Sequence, residues 1–280
     1  MQIRLLGPLS VTVDGEDMTP TAPKPRRVLA LLATSANQVV RNEQLIEEVW
    51  EDRPPSSVTT TLQTYVYQLR KSLHLAANQG RTGRTHGAAL RTFVGGYMLT
   101  LDQDALDARV FEKLAQRGRA QLAAGEVEEA ARTLREALQL WRGPAMVDIN
   151  PGPVLLSEAL RLEEIRKSVL DLRIEADLRL GRHHELLAEL IKLVAAQPTH
   201  EGFQAKLMVA LYRAGRRSEA LQTYQQARQC LVNELGVDPS GTLQRLHQAI
   251  LTGELETTAP REAAVGALTG AGSLIPELRY

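Results

Sequence analysis

From Arg53 to Leu101 the chain carries no aspartate or glutamate, while Arg53, Arg70, Lys71, Arg81, Arg84 and Arg91 supply positive charge. At the overall frequency of 33 acids in 280 residues, about six acids would be expected in a stretch this long. An acid-free basic segment is the footprint of a polyanion-binding surface, although on charge alone a solvated basic face gives the same count. The order of residues within the segment says more. At about 100° per residue, Val58, Leu62, Tyr65, Val66, Leu69 and Leu73 gather on one helical face, which would turn to a core. Thr60, Gln63, Thr64, Tyr67, Lys71 and His74 gather opposite, with Arg70 at the edge. Thr, Gln and Tyr can contact base edges and phosphates, and Arg and Lys add charge neutralisation and guanine contacts. An ordinary solvent face would include Glu, a good and solubilising helix former. This face is equipped to read DNA.

Other reactive residue types give weaker patterns. His183 and His184 are adjacent, so their side chains do not converge on a helix, and no cysteine or carboxylate cluster flanks them; no metal site is expected. Cys230 is the single cysteine, expected to be a small core residue. Gly80-Arg81-Thr82-Gly83-Arg84-Thr85 lacks the Gly-Lys-Ser/Thr ending of a phosphate loop. No HExxH, GxSxG, Walker A or GxGxxG pattern occurs. No catalytic residue and no cofactor is expected, and the chain reads as a non-enzyme. Trp50 and Trp141 read as packing residues, with a phosphate contact left open for Trp50.

The elements around the basic helix follow from local signals. Ile3–Leu6 and Leu9–Val13 are β-type runs, Asp14-Gly15 is a turn, and Pro20 to Pro25 reads as a loop. Arg26 to Ala36 carries a helical stripe ending near Asn37, and Asn42 is the expected cap of a helix over Glu43 to Trp50. Arg53-Pro54-Pro55-Ser56-Ser57 breaks the chain before the basic helix, which runs to about Leu75. A polar loop over Gly80 to Gly87 leads to Leu90–Val94 and Tyr97–Leu101, flanking Gly95-Gly96 as a hairpin. Helix, helix, basic helix and hairpin make a winged helix-turn-helix, with the third helix in the major groove.

From Leu106 the pattern is helical. Breaks at Gly125, Gly181 and Gly215 share one motif, and the last two stand 34 residues apart, the tetratricopeptide period. A generic helical bundle is the alternative. The expected organisation is a DNA-binding domain over 1–101, tetratricopeptide-like helices over 106–252 and a poorly ordered tail over 253–280. Charge changes sign between the halves: 11 basic against 8 acidic residues up to Leu101, then 22 against 25. Hydrophobic content of 44% and charged content of 24% fit a globular protein. No apolar run is long enough for a membrane span or a signal peptide, so a cytoplasmic location without membrane partners is expected.

Thr61-Leu62-Gln63-Thr64-Tyr65-Val66-Tyr67-Gln68-Leu69-Arg70-Lys71-Ser72-Leu73, followed by a hairpin ending in Gly95-Gly96-Tyr97, resembles the OmpR-like DNA-binding domain. The variant is similar to that of the Streptomyces antibiotic regulatory protein family. Leu140-Trp141-Arg142-Gly143-Pro144, Arg161-Leu162-Glu163-Glu164, the segment from Leu207 to Arg216 and Glu234-Leu235-Gly236-Val237-Asp238-Pro239 resemble that family's bacterial transcriptional activation domain. The resemblance spans roughly residues 1–252. It implies an activator of antibiotic or other secondary-metabolite gene clusters, bound as a dimer to direct repeats beside the −35 element. It also implies that the loop before the reading helix touches RNA polymerase through its σ subunit, making Glu51, Asp52 and Arg53 the polymerase-contact candidates.

The candidate DNA contacts are Thr60, Thr61, Gln63, Thr64, Tyr67, Arg70, Lys71 and Arg91. Relatives often carry Arg-Pro-Pro in the wing where this chain has Phe93-Val94-Gly95, so Arg91 is a substitute candidate there. No receiver domain is expected before the DNA-binding half. A peptide-binding adaptor would scatter acids over 53–101, and an enzyme would need clustered titratable groups; neither pattern occurs.

Overall fold

The computed structural model describes residues 1–79 and 88–256. The Gly80–Gly87 loop, with Arg81 and Arg84, and the expected tail beyond 256 lie outside the described residues, as do the side chains of Leu73 and His74. The described residues fall into two compact units, 1–124 with 132–170 and 125–131 with 171 onward. The composition change at 102–106 thus lies inside the first unit.

Unit one begins with an antiparallel sheet of β1 (Gln2–Arg4), β2 (Ser10–Val13) and β3 (Glu16–Asp17). Asp14 and Gly15, with φ of 50° and 91°, make the tight turn between β2 and β3. Leu5 and Leu6, expected in the first strand, leave it because other partners claim their backbone. Their N–H groups donate to the Asp107 carboxylate at 2.7 and 3.1 Å, and their carbonyls accept from Met146 and Arg142 N–H at 2.9 and 2.8 Å. Burial pushes the Asp107 carboxyl above its ordinary value, against the N–H groups of Leu5 and Leu6 and the charge of Arg142.

The helix α1 spans Pro23–Thr34, beginning within the stretch expected to be a loop. Proline is tolerated in a first turn, where its missing N–H is one of the donors the helix cannot use. Its face of Val28, Leu29, Leu31 and Leu32 is buried. The helix α2 spans Asn42–Trp50, so Asn42 is its first residue; the cap position belongs to Arg41, whose N–H donates to the Gln44 side chain at 3.1 Å. The third helix, α3, runs from Val58 to Gln79. Three strands follow the order β4 (Val40–Arg41), β6 (Gly96–Thr100), β5 (Ala89–Phe93). Phe93 pairs directly with Gly96, so the hairpin turn is Val94-Gly95, one residue before the pair expected to form it.

A 3-10 turn at Gln103–Ala105 leads into α4 (Asp107–Ala123), α5 (Val127–Gln139), α6 (Pro153–Arg179) and α7 (His183–Ala196), followed by α8 (Glu201–Arg213), α9 (Arg217–Leu235) and α10 (Gly241–Thr252). Gly125, Gly181 and Gly215 hold φ of 80°, 76° and 76° at the turns after α4, α6 and α8, where a Cβ would be strained. The shared sequence motif is therefore a shared turn geometry, and the helical half is tetratricopeptide-like. In unit one, Phe111 of α4 meets Trp141 edge-on at 5.3 Å. In unit two, α8 packs against α7 and α9, burying Leu190, Phe203, Met208, Ala220 and Ala227. Among the described residues no helix is long and apolar enough to cross a membrane.

Candidate nucleic-acid interface

The reading helix is fixed by its inner face. Leu62, Val66 and Leu69 are buried, and Tyr65 stacks on Trp50 with ring centres 5.9 Å apart. The Lys24 ammonium stands 5.0 Å over the Trp50 ring, a cation–π contact. Trp50 is buried among these partners and serves packing.

The outer face is open. Thr60, Gln63, Thr64, Tyr67 and Lys71 are exposed and Thr61 is half-buried; Tyr67 is 66% exposed, unusual for so large a ring. Among the described residues Gln63, Tyr67 and Lys71 have no hydrogen-bond or ionic partner. Thr61 and Thr64 donate their hydroxyl hydrogens to the carbonyls of Ser57 and Thr60, both at 3.0 Å. In that state each presents an oxygen acceptor and a methyl group to its surroundings, suited to an exocyclic amino group or a thymine methyl.

Arg70 does not stand free beside them. It is half-buried, and its guanidinium donates to the Leu90 carbonyl at 2.9 Å and to Thr92 Oγ1 at 2.6 Å. Arg91 is exposed on β5, between these two acceptors in sequence. The backbone N–H of Asn42 donates to the Gly95 carbonyl at 2.9 Å, holding the hairpin tip to the start of α2. Sequence reasoning passed over Thr92, whose only signal was its place in an acid-free strand.

The loop from Glu51 to Ser57 is exposed throughout. Glu51 adopts φ 51° and ψ −127°, a sparsely populated region for a residue with a side chain. Arg27 supports the turn: it donates to the carbonyls of Glu48 and Val49 at 3.0 and 3.2 Å, capping the end of α2, and lies 3.8 Å from the Glu51 carboxylate. Asp52 and Arg53 project without side-chain partners among the described residues.

Elsewhere the geometry offers little chemistry. Among the described residues no group of three or more His, Cys, Asp and Glu could hold a metal. The rings of His183 and His184 lie 4.6 Å apart, and burial, then the charges of His184 and Arg213, lowers the His183 pKa. Cys230, expected in the core, is half-exposed, because its place on α9 borders a groove lined also by α7 and α8 residues. Its thiol donates to the Glu234 carboxylate at 3.3 Å, which raises its pKa and keeps it protonated.

Residues 106–251 match the bacterial transcriptional activator domain, and residues 16–87 match the C-terminal domain of transcriptional regulatory proteins. The chain is 47% identical over 251 residues to the regulatory protein DnrI of Streptomyces peucetius, covering 90% of this chain and 92% of that one. It is 37% identical to the transcriptional regulator RedD of Streptomyces coelicolor, covering 90% of this chain and 70% of that one. The chain belongs to the Streptomyces antibiotic regulatory protein family of transcriptional activators. A solved structure of Mycobacterium tuberculosis EmbR, in complex with a low affinity phosphopeptide, superposes with a TM-score of 0.83 at 34% identity, over 96% of this chain and 68% of that one. A winged helix-turn-helix followed by the helical activator region is thus the family's arrangement, and the family is one of regulators, not enzymes.

Proposed function

We propose that this activator binds direct repeats near the −35 element of an antibiotic or other secondary-metabolite promoter, in the cytoplasm, as a dimer, and recruits RNA polymerase holoenzyme. The observation that carries the reading is the outer face of α3, where Gln63, Tyr67 and Lys71 stand exposed, without side-chain partners among the described residues, and no acid interrupts them. Gln63 has the geometry to pair with adenine N6 and N7, while Thr60, Thr61 and Thr64 suit thymine methyls and amino groups. Lys71 and Arg91 neutralise phosphates, and Tyr67 can donate to one.

One such module covers few base pairs. Two protomers on repeats spaced by about one helical turn share a DNA face and gain from effective concentration. The exposed loop carrying Glu51, Asp52 and Arg53 then faces the polymerase, through its σ subunit.

Footprinting on the promoter of the neighbouring operon tests the reading. Lys71→Ala is expected to flatten the dependence of log K on log salt by about 0.9. Gln63→Ala instead relaxes base preference, at about 1–3 kcal/mol per lost contact. Moving one repeat by half a turn abolishes cooperative binding. Substitutions at Glu51, Asp52 or Arg53 leave affinity intact and lower transcription with purified polymerase. A loop variant losing binding and activation in parallel would contradict the recruitment step.

A further inference from the structure

The reading helix and the wing are joined by a bridge of unusual composition. Arg70 of α3 reaches Leu90 O and Thr92 Oγ1, two acceptors on alternate residues of β5. A guanidinium presents its donors in a rigid planar fork, so engaging both acceptors fixes the distance of β5 from α3 and its rotation about it. The other strand and the tip are held differently, by pairing of Val40 with Tyr97 and by the Asn42 N–H on the Gly95 carbonyl. Arg70 supplies the link to the strand that carries Arg91.

Two consequences follow from the acceptors being neutral. Among the described residues no carboxylate pairs with Arg70, so the bridge adds positive potential at the junction of helix and wing. The Thr92 oxygen, already accepting from Arg70, leaves its own hydrogen to donate elsewhere, and Thr92 is exposed. A hydroxyl polarised by a cation on its oxygen is a stronger donor, and the partner favoured in an acid-free basic surface is a phosphate oxygen.

Resting on the DNA-binding reading, we propose that Arg70 positions the wing and reads no base, and that Thr92, oriented by Arg70, donates its hydroxyl hydrogen to a backbone phosphate beside the major-groove site. A base-reading Arg70 would have to abandon both bonds and a half-buried position. Lysine in its place keeps the charge but cannot hold both acceptors.

The test uses full-length protein on its operator, with hydroxyl-radical footprinting, phosphate-ethylation interference and affinity across a salt series. Thr92→Val is expected to weaken binding about fivefold, with the salt slope unchanged, the wing-side interference signal lost and base preference kept. Arg70→Lys gives the same loss of wing signal at unchanged salt slope and base preference, and adding Thr92→Val to it costs nothing more. Arg70→Lys that alters base preference while the wing signal persists would overturn the proposal, as would Thr92→Val indistinguishable from wild type on a protected operator. Wild-type protein that protects no DNA would overturn the DNA-binding reading and this inference with it.

Discussion

The two units use their buried carboxylates in different ways. In unit one, Glu48 is fully buried and accepts the N–H groups of Gly152, Val154 and Leu155 at 2.6, 2.9 and 3.2 Å, at the start of α6. Asp107 takes the N–H groups of Leu5 and Leu6, and the more exposed Asp148 takes that of Leu9 at 2.8 Å together with Arg26. In unit two the partners of the buried acids are side chains: Asp177 with Arg173 and Arg182 at 3.5 and 3.1 Å, Glu175 with Arg179. The more open Asp171 meets Lys206 at 2.5 Å, while Glu201, also more open, takes the Ser240 N–H at 2.8 Å. The difference follows from backbone regularity. Helix pairs joined by tight turns satisfy their own N–H groups, so acids there are left to meet cations. Unit one brings irregular backbone and a helix start into the interior, and only an acceptor from elsewhere in the chain can satisfy them.

The largest expected effect is on truncation. Composition suggests that residues 1–101 fold alone and bind DNA weakly. In the structure that fragment would lose Asp107, Asp148 and the α6 start, leaving the Leu5, Leu6 and Leu9 N–H groups and Glu48 without partners. The fragment 1–101 is expected to lack cooperative thermal unfolding, and a fragment 1–170 to regain it; a sharp transition for 1–101 would break the comparison. Next comes Glu48→Ala, which strands buried donors at a helix N-terminus and costs about 3 kcal/mol, measured by chemical denaturation. Glycine at 152 allows the contact, since a Cβ there would overlap Glu48.

A smaller loss of about 1–2 kcal/mol is expected for Lys206→Met in unit two, because Asp171 is already partly open to water. Native-state hydrogen exchange should show the change in 171–252 and leave 1–101 unmoved. The smallest effect is a pH dependence. Burial holds the Asp107 carboxyl above its ordinary 3.8, so the folded chain keeps a proton that the unfolded chain has lost. Stability of the wild type relative to Asp107→Asn should therefore be greatest at low pH, fall as pH rises from about 3.8 through the raised value, and then level off. A difference that grows with pH would show the N–H groups of Leu5 and Leu6 outweighing burial.

What the sequence showed and hid divides along the same line. The α3 faces were legible because Leu62, Val66 and Leu69 recur at the helical period, and the burial of those three leaves Gln63 and Lys71 outside. The three turn glycines were legible because the motif and its backbone conformation are both local. The strands β3 and β4 were hidden, being two residues long and defined by their partners. Glu48 looks like one more acid on a helix; its partners lie more than a hundred residues away. Arg70 falls at the edge of the periodic face, and periodicity cannot say that a wing strand waits there. Cys230 misled for a similar reason: a helical position fixes a face but not whether a neighbour covers it.

The most direct measurement of DNA reading by α3 is an affinity matrix. Wild type and Gln63→Ala are titrated against the operator and every single-base substitution in one repeat. If the outer face of α3 reads the operator, Gln63→Ala loses discrimination at one or two adjacent base pairs, about 1–3 kcal/mol, and keeps the wild-type pattern at all others. A matrix identical to that of the wild type would contradict it.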